Sequence, residues 1–239
     1  MIRLFNPIPH HPFSTSFHAS QLKELTDQLI LVDSKDKQIG SISKLDAHLQ
    51  KNNNKHPHRA FSIVLFNSQN ELLIQQRSHK KITFPLQWSN TCCSHPLNVP
   101  KENQTHNNTG ILNAVTRRLK FELGITTSPT QYKLYNKILY KSNSDSKFEE
   151  FELDYLFLVK MFNRRDLPVL KRKINVDEVK DIDFVPLSGL LTDMKRNSHR
   201  YTPWFKFIMS AKGEEMFALM SSRLAFGKYK YNNEIINFL

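Results

Sequence analysis

Glu150 and Glu152 stand two residues apart in a segment, 150–161, where apolar and other side chains alternate. Such alternation marks a strand, and residues i and i+2 of a strand share a face, so both carboxylates could reach one cation or one substrate atom. On a solvated face the pair would mean little. Here Leu156 and Leu158 follow on the same face, which therefore runs into a core, and a carboxylate entering a core needs a cation or a proton. His48, His58 and His95, in three other segments, could complete the site. Three neutral imidazoles with two carboxylates suit a transition ion such as Mn²⁺ or Zn²⁺ and form a richer set than Mg²⁺ usually accepts. Spacing alone does not prefer them to His56, His79 or His106.

The two cysteines, Cys92 and Cys93, are adjacent, which strains a mutual disulfide. Free thiols point to a reducing compartment. Cys93 precedes His95 by two residues. An imidazole that is protonated or held on a metal would lower the thiol's pKa and give a thiolate able to act as base or nucleophile. The plainer alternative is an inert buried thiol.

A framework of short elements must position these groups. LILV (29–32) reads as a strand, residues 33–37 as a polar turn, and a second short strand runs through Ile39 and Ile42. Residues 44–50 form a short helix and 51–55 an asparagine-rich loop, and strands 60–66 and 72–76 flank the turn 67–70. The clearest helix is 111–123, where Ile111, Val115 and Leu119 make one stripe and Gly124 stands at the C-terminal cap. Arg118 and Glu122 project from one side of it. A short strand is expected at 138–140 and a last one at 182–186. Thr202-Pro203 opens a helix with a cap residue and a proline at its first position, placing Trp204 in the first turn. Strands and helices interleave, so the fold class is α/β (α+β), a single sandwich.

A chain of 239 residues can bury one good core but has no room for a second full domain. Its 39% hydrophobic and 23% charged residues are ordinary globular values, and no apolar run approaches the length of a bilayer span. The net charge of +12 admits nucleic acid, an anionic membrane surface or a phosphorylated small molecule as partner. Apart from Lys171-Arg172-Lys173 the basic residues are scattered and no recognition motif accompanies them, so no nucleic-acid partner is expected. The first 23 residues lack Asp and Glu, yet Pro7, Pro9 and Pro12 spoil an amphipathic targeting helix. Residues 1–27 are expected to be a flexible extension on a cytoplasmic protein, with mitochondrial, plastid or peroxisomal import as the alternative.

The stretch HRAFSIVLFNSQNELLIQQRSHKKITFPLQWSNTCCSHPL, from His58 to Leu97, resembles the type I isopentenyl-diphosphate isomerases of eukaryotes. The likeness resumes in ILNAVTRRLKFELGI (111–125), EFELDYLFLV (150–159) and TPWFKFI (202–208), and covers about 29–208. It implies a Nudix-like mixed sheet between helices over residues 28–211, with a C-terminal helical extension, 212–239, packed on the same domain. It implies His48, His58, His95, Glu150 and Glu152 as five ligands of a divalent ion (Mn²⁺, Zn²⁺ or Mg²⁺). It makes Cys93 the catalytic cysteine, Cys92 its non-catalytic neighbour, and Glu152 the opposing acid–base group assisted by Tyr140. Lys44, Arg77, Lys81 and Arg118 would hold the diphosphate of isopentenyl diphosphate, and Glu122 would anchor a bridging Mg²⁺. A monomer is expected, with a dimer as the alternative. The sequence departs from the pattern at Glu149, a negative charge where glycine is usual beside the ligand strand, and at Leu86, which follows Phe84-Pro85 in place of a common glycine; after Ser210 the likeness fades.

The implied chemistry is coherent. Protonating an unactivated alkene leads toward a tertiary carbocation that water would capture, so the site must exclude solvent and set an acid and a base on the reacting carbons. An indole such as Trp204 could steady the cation by about 2 kcal/mol when desolvated, and core packing is its other role. Two rivals stand beside this reading. A Nudix hydrolase needs a run of glutamates on its box helix, but Arg117-Arg118-Leu119-Lys120-Phe121-Glu122-Leu123-Gly124 keeps only Glu122. A degenerate basic binding protein would have lost Cys93 or a glutamate, and all are present.

Overall fold

The computed structural model describes residues 18–52, 55–231 and 234–239. Most of the expected N-terminal extension, residues 1–17, lies outside them. Among the described residues ten strands join one mixed sheet. They are β1 (Gln28–Val32), β2 (Gln38–Ser43), β3 (His58–Phe66), β4 (Leu72–Arg77), β5 (Trp88–Ser89), β6 (Cys92–Ser94), β7 (Lys133–Asn143), β8 (Glu149–Lys160), β9 (Val179–Val185) and β10 (Ile235–Phe238). The helices are α1 (Ala19–Leu22), α2 (Lys44–His48), α3 (Thr109–Leu123), α4 (Leu167–Lys171), α5 (Leu187–Arg196), α6 (Pro203–Ser221) and α7 (Arg223–Lys228). None is long and apolar enough to cross a membrane.

The centre of the sheet is the parallel pair β3–β8, buried on both faces, as covered parallel strands are. One face sends Phe61, Ile63, Leu153 and Phe157 against Ile111, Ala114, Val115 and Leu119 of α3. The other packs Val64, Leu156 and Leu158 against Phe205, Ile208 and Met209 of α6 and Leu190 of α5. Truncating such a fully buried phenylalanine to alanine costs about 3–5 kcal/mol. Along its second edge β3 changes partner, pairing with β1 at His58, β6 at 61–63 and β4 at Phe66. The functional side chains gather at the His58 end.

Helix α3 ends as its sequence implies: Gly124 adopts φ +63°, a left-handed cap whose N–H returns to Leu119 and Lys120. Other expectations need correcting. Helix α2 stops at His48 because Leu49 is already extended and bridges Phe148. The strand expected at 138–140 is the long β7, whose ladder with β8 runs from Lys133↔Leu158 to Asn143↔Glu149. Its lysines and asparagines hide the pattern, and the apolar partner strand supplies the order. Strand β9 begins at Val179 and is not the last. The C-terminal stretch continues α6 without a break, turns through α7 and ends as β10, which pairs in parallel with β7 from Ile235↔Lys137 to Phe238↔Tyr140; a strand there covers an edge that helix would leave open. Residues 18–27 are folded, with α1 carrying buried Gln21 and Leu25 packed below it.

Candidate active site

Strand register assembles the site. The β3–β8 ladder sets His58 opposite Glu152, β7–β8 sets Tyr140 opposite Glu152 and Ser142 opposite Glu150, and β3–β6 sets Ser62 opposite Cys93. Directly opposed residues point to the same side of a sheet, so these groups share one face. His95 follows Cys93 at i+2. His48 arrives from α2, where its Nδ1 lies 2.6 Å from the carbonyl oxygen of Lys44. A carbonyl only accepts, so Nδ1 carries a hydrogen and Nε2 is the atom left to face the cluster.

One ligand atom from each of His48, His58, His95, Glu150 and Glu152 falls within 4.8 Å of every other. Ring centroids of the three imidazoles lie 4.7–5.2 Å apart. His95 Nε2 bonds Glu152 Oε1 at 2.7 Å, and Tyr140 donates to Glu152 Oε2. His48 Nε2 approaches Glu150 Oε2 at 2.8 Å and His58 Nε2 approaches Glu152 Oε1 at 3.4 Å, but without hydrogen-bond alignment: Glu150 Oε2 and His58 Nε2 are buried with no hydrogen-bond partner. Orphaned lone pairs converging in a dry site fit a divalent cation. Burial, with His58 and His48 beside it, holds His95 well below the usual imidazole range. Burial opposes ionisation of both glutamates, yet His48 for Glu150, and His58 with Tyr140 for Glu152, bring them below the usual carboxylate value. The competing His56, His79 and His106 are exposed and outside the cluster.

The two thiols part ways on β6. Cys92 is fully buried toward α3, with Sγ 3.5 Å from Glu122 Oε2. Cys93 faces the pocket, where Sγ lies 2.9 Å from Asn90 Oδ1, 3.0 Å from Trp204 Nε1 and 3.2 Å from Ser62 Oγ. The lowering of the Cys93 pKa expected beside a protonated or metal-held imidazole does not come from the protein groups alone. Burial first, then the Asp154 carboxyl, push it up to about 12. Trp204 lies in the first turn of α6 as expected, but the Thr202 hydroxyl bonds Ser89 Oγ at 3.1 Å instead of capping the helix. The indole lies edge-on to Phe84, with the Arg77 guanidinium 5.4 Å from its ring centre.

A pocket of about 660 Å³, including its mouth, runs from this cluster to a second one. Lys44, Arg77, Lys81, Arg118, His48, Cys93, His95, Tyr140, Glu150, Glu152 and Trp204 all line it; His58 sits behind within the cluster, and Glu122 behind Arg118. Arg77 is held through Nε and Nη2, which donate to the carbonyl oxygens of Thr83 and Phe84 and to the Thr83 hydroxyl. The other three cations are already paired: Lys44 with Glu24 at 2.6 Å, Lys81 with Glu178 at 2.7 Å, and Arg118 with Glu24, Glu122 and Glu178 at 2.6, 2.8 and 3.1 Å. Despite burial, Lys44 and Arg118 hold Glu24 down at about 2. Glu24, Glu178 and Gln21 (whose Nε2 donates to Glu178 at 2.8 Å) escaped the sequence reading, because nothing in their own segments marks them. Glu122 Oε2 accepts only long contacts, 3.4 Å from Gln75 and 3.5 Å from Cys92, and is the oxygen with capacity for a cation. Glu149 turns to the opposite face of β8 and pairs with Lys141 at 3.1 Å, so its charge does not sit beside the Glu150–Glu152 pair.

Comparison with known proteins adds three findings. The NUDIX domain family model matches residues 56–205. An isopentenyl-diphosphate delta-isomerase of Gibberella zeae is 38% identical over 98% of this chain and 91% of its own length, and one of Bos taurus is 40% identical over 79% and 83%. Among solved structures, DR0079 from Deinococcus radiodurans superposes with a TM-score of 0.51 at 15% identity, over 80% of this chain and 98% of that one, a likeness of fold.

Proposed function

The chain belongs to the Nudix family and, within it, to the isopentenyl-diphosphate delta-isomerases, and from that premise we infer how its pocket divides the work. The enzyme interconverts isopentenyl and dimethylallyl diphosphate. The observation that carries the division of labour is the meeting of five ligand atoms within 4.8 Å of one another in the same pocket as the Cys93 thiol.

The diphosphate is assigned to the end lined by Lys44, Arg77, Lys81 and Arg118. There its oxygens exchange with Glu24 and Glu178 as partners of the cations, and Glu122 Oε2 is the proposed anchor for a bridging Mg²⁺. The five-carbon tail then lies among Tyr140, Trp204 and Cys93, where buried walls keep water away. Cys93 and Glu152 are the proposed acid–base pair. One gives a proton to the terminal alkene carbon, which places positive charge on the tertiary carbon. The other takes a proton from the methylene on its far side, and the double bond moves with no net change in protons. Tyr140 orders Glu152 through its hydroxyl, and the Trp204 face steadies the cationic carbon. A divalent ion in the His48, His58, His95, Glu150 and Glu152 set (Mn²⁺, Zn²⁺ or Mg²⁺) would supply the positive charge that holds the two carboxylates ionised and in place. The catalytic unit is proposed as 28–211 together with the pocket-lining part of 18–27. One chain supplies all of these groups, which favours a monomer, and two unbridged thiols suit the cytoplasm.

Incubation with isopentenyl diphosphate and Mg²⁺ in D₂O, followed by NMR, tests the reading. Dimethylallyl diphosphate carrying solvent deuterium is expected. Cys93→Ala should nearly abolish it while Cys92→Ala keeps most turnover. Equal loss in both variants would overturn the thiol assignment.

A further inference from the structure

Asp154 is the third carboxylate on the ligand face of β8, yet it is not one of the five ligands and does not line the pocket. It is 1% exposed. Its Oδ2 accepts the Ser62 hydroxyl at 2.7 Å, and its Oδ1 has no hydrogen-bond partner. Ser62, itself fully buried, places the same Oγ 3.2 Å from Cys93 Sγ. A buried carboxyl with a single bond is costly to retain in a core, and the one group it holds is the neighbour of the proposed reacting sulfur.

We propose that Ser62 and Asp154 are positioning residues for Cys93. The proposal rests on the reading of Cys93 as a reacting group. With its proton committed to Asp154, the Ser62 hydroxyl cannot rotate, and its lone pairs stay turned toward the sulfur. Asn90 closes the other side. Its Nδ2 donates to the carbonyl oxygens of Ile63 and Cys92 at 3.1 and 3.2 Å, so the amide cannot flip and Oδ1 must face Sγ. The one S–H has a fixed acceptor on either side, Asn90 Oδ1 at 2.9 Å and Ser62 Oγ at 3.2 Å. The Trp204 N–H, shared between Asn90 Oδ1 and Sγ at 3.1 and 3.0 Å, closes the third, and together they restrict a thiol that would otherwise have several rotamers. For a proton transfer, a misplacement of an ångström costs on the order of 10²-fold.

The test compares Ser62→Ala, Asp154→Leu and Asp154→Asn in the metal-loaded enzyme, reading kcat and KM separately, metal content, and the rate at which iodoacetamide alkylates Cys93. Ser62→Ala and Asp154→Leu are expected to lower kcat by about 10- to 100-fold with KM and metal content unchanged and the alkylation rate altered. Asp154→Asn keeps an oxygen that can accept from Ser62 and should recover most of the kcat lost in Asp154→Leu. Wild-type kcat in Ser62→Ala, while Cys93→Ala is inactive, would overturn the positioning role and leave the thiol assignment intact. Activity surviving in Cys93→Ala would remove both. Loss of kcat accompanied by equal loss of metal would assign the pair to scaffolding of the ligand strand and overturn the proposal.

Discussion

Two groups of charged residues share one pocket and are built on opposite terms. At one end, His48, His58, His95, Glu150 and Glu152 converge lone pairs on a common point, and Glu150 Oε2 and His58 Nε2 find no partner in the protein. At the other, Glu24, Glu122 and Glu178 are interlocked with Lys44, Lys81 and Arg118 at 2.6–3.1 Å. The first set offers five ligand atoms that a cation from outside could gather, beyond the contacts its own imidazoles make with the carboxylates. The second is satisfied internally and contributes to the fold, so an anionic ligand must exchange with the carboxylates instead of filling an empty place. A preformed demand for a ligand and a preformed competition with one call for different perturbations.

The largest effect should come from the first set. Glu150→Gln is expected to lower kcat by about 10²-fold or more, with a parallel fall in bound metal measured by mass spectrometry. In chelated protein, Glu150→Leu should lower the urea midpoint much less than Arg118→Met does, because Glu150 is held by one imidazole and Arg118 by three carboxylates. An equal loss in the two variants would break the contrast. The reverse holds at the other end. Arg118→Met leaves three buried carboxylates without their shared guanidinium and should cost about 3–5 kcal/mol in urea unfolding, even with metal bound.

Acid gives a finer test. Because Lys44 and Arg118 hold Glu24 at about 2, below its ordinary value of 4.5, the stability it contributes is complete above pH 4.5 and is lost as pH falls toward 2. Glu24→Gln should therefore flatten the decline in unfolding free energy over that window, and an unchanged slope would show that the pairing is not held in solution. The smallest effect concerns the loop beneath Trp204. Leu86 adopts φ +64°, a left-handed conformation unfavourable for a side chain, so Leu86→Gly should stabilise by about 1 kcal/mol, read from thermal unfolding.

Much of this was legible in one dimension. The alternation of 150–161 announced β8 and the common face of its glutamates, and the stripe of 111–123 with Gly124 announced α3 and its cap. The likeness over about 29–208 pointed to the three histidines that spacing could not choose. What escaped has a common cause. Glu24 and Glu178 look like any surface acids in their own segments and acquire meaning only where Arg118 meets them. The Cys-x-His spacing left Cys93 between a reactive and an inert thiol, and the burial and the Asp154 carboxyl that raise its pKa come from other strands. β7 and β10 lack strong patterns because their order is lent by neighbours.

By itself the sequence determined which side chains exist, which pairs share a face of one strand or helix, and to which family the chain is similar, since these follow from periodicities of two and 3.6 residues and from motif identity. Tertiary structure alone decided which distant groups meet, which carboxylates are already spoken for, and which thiol looks into the pocket. Those outcomes depend on register and on the loss of water around each group, and neither is written in any single segment.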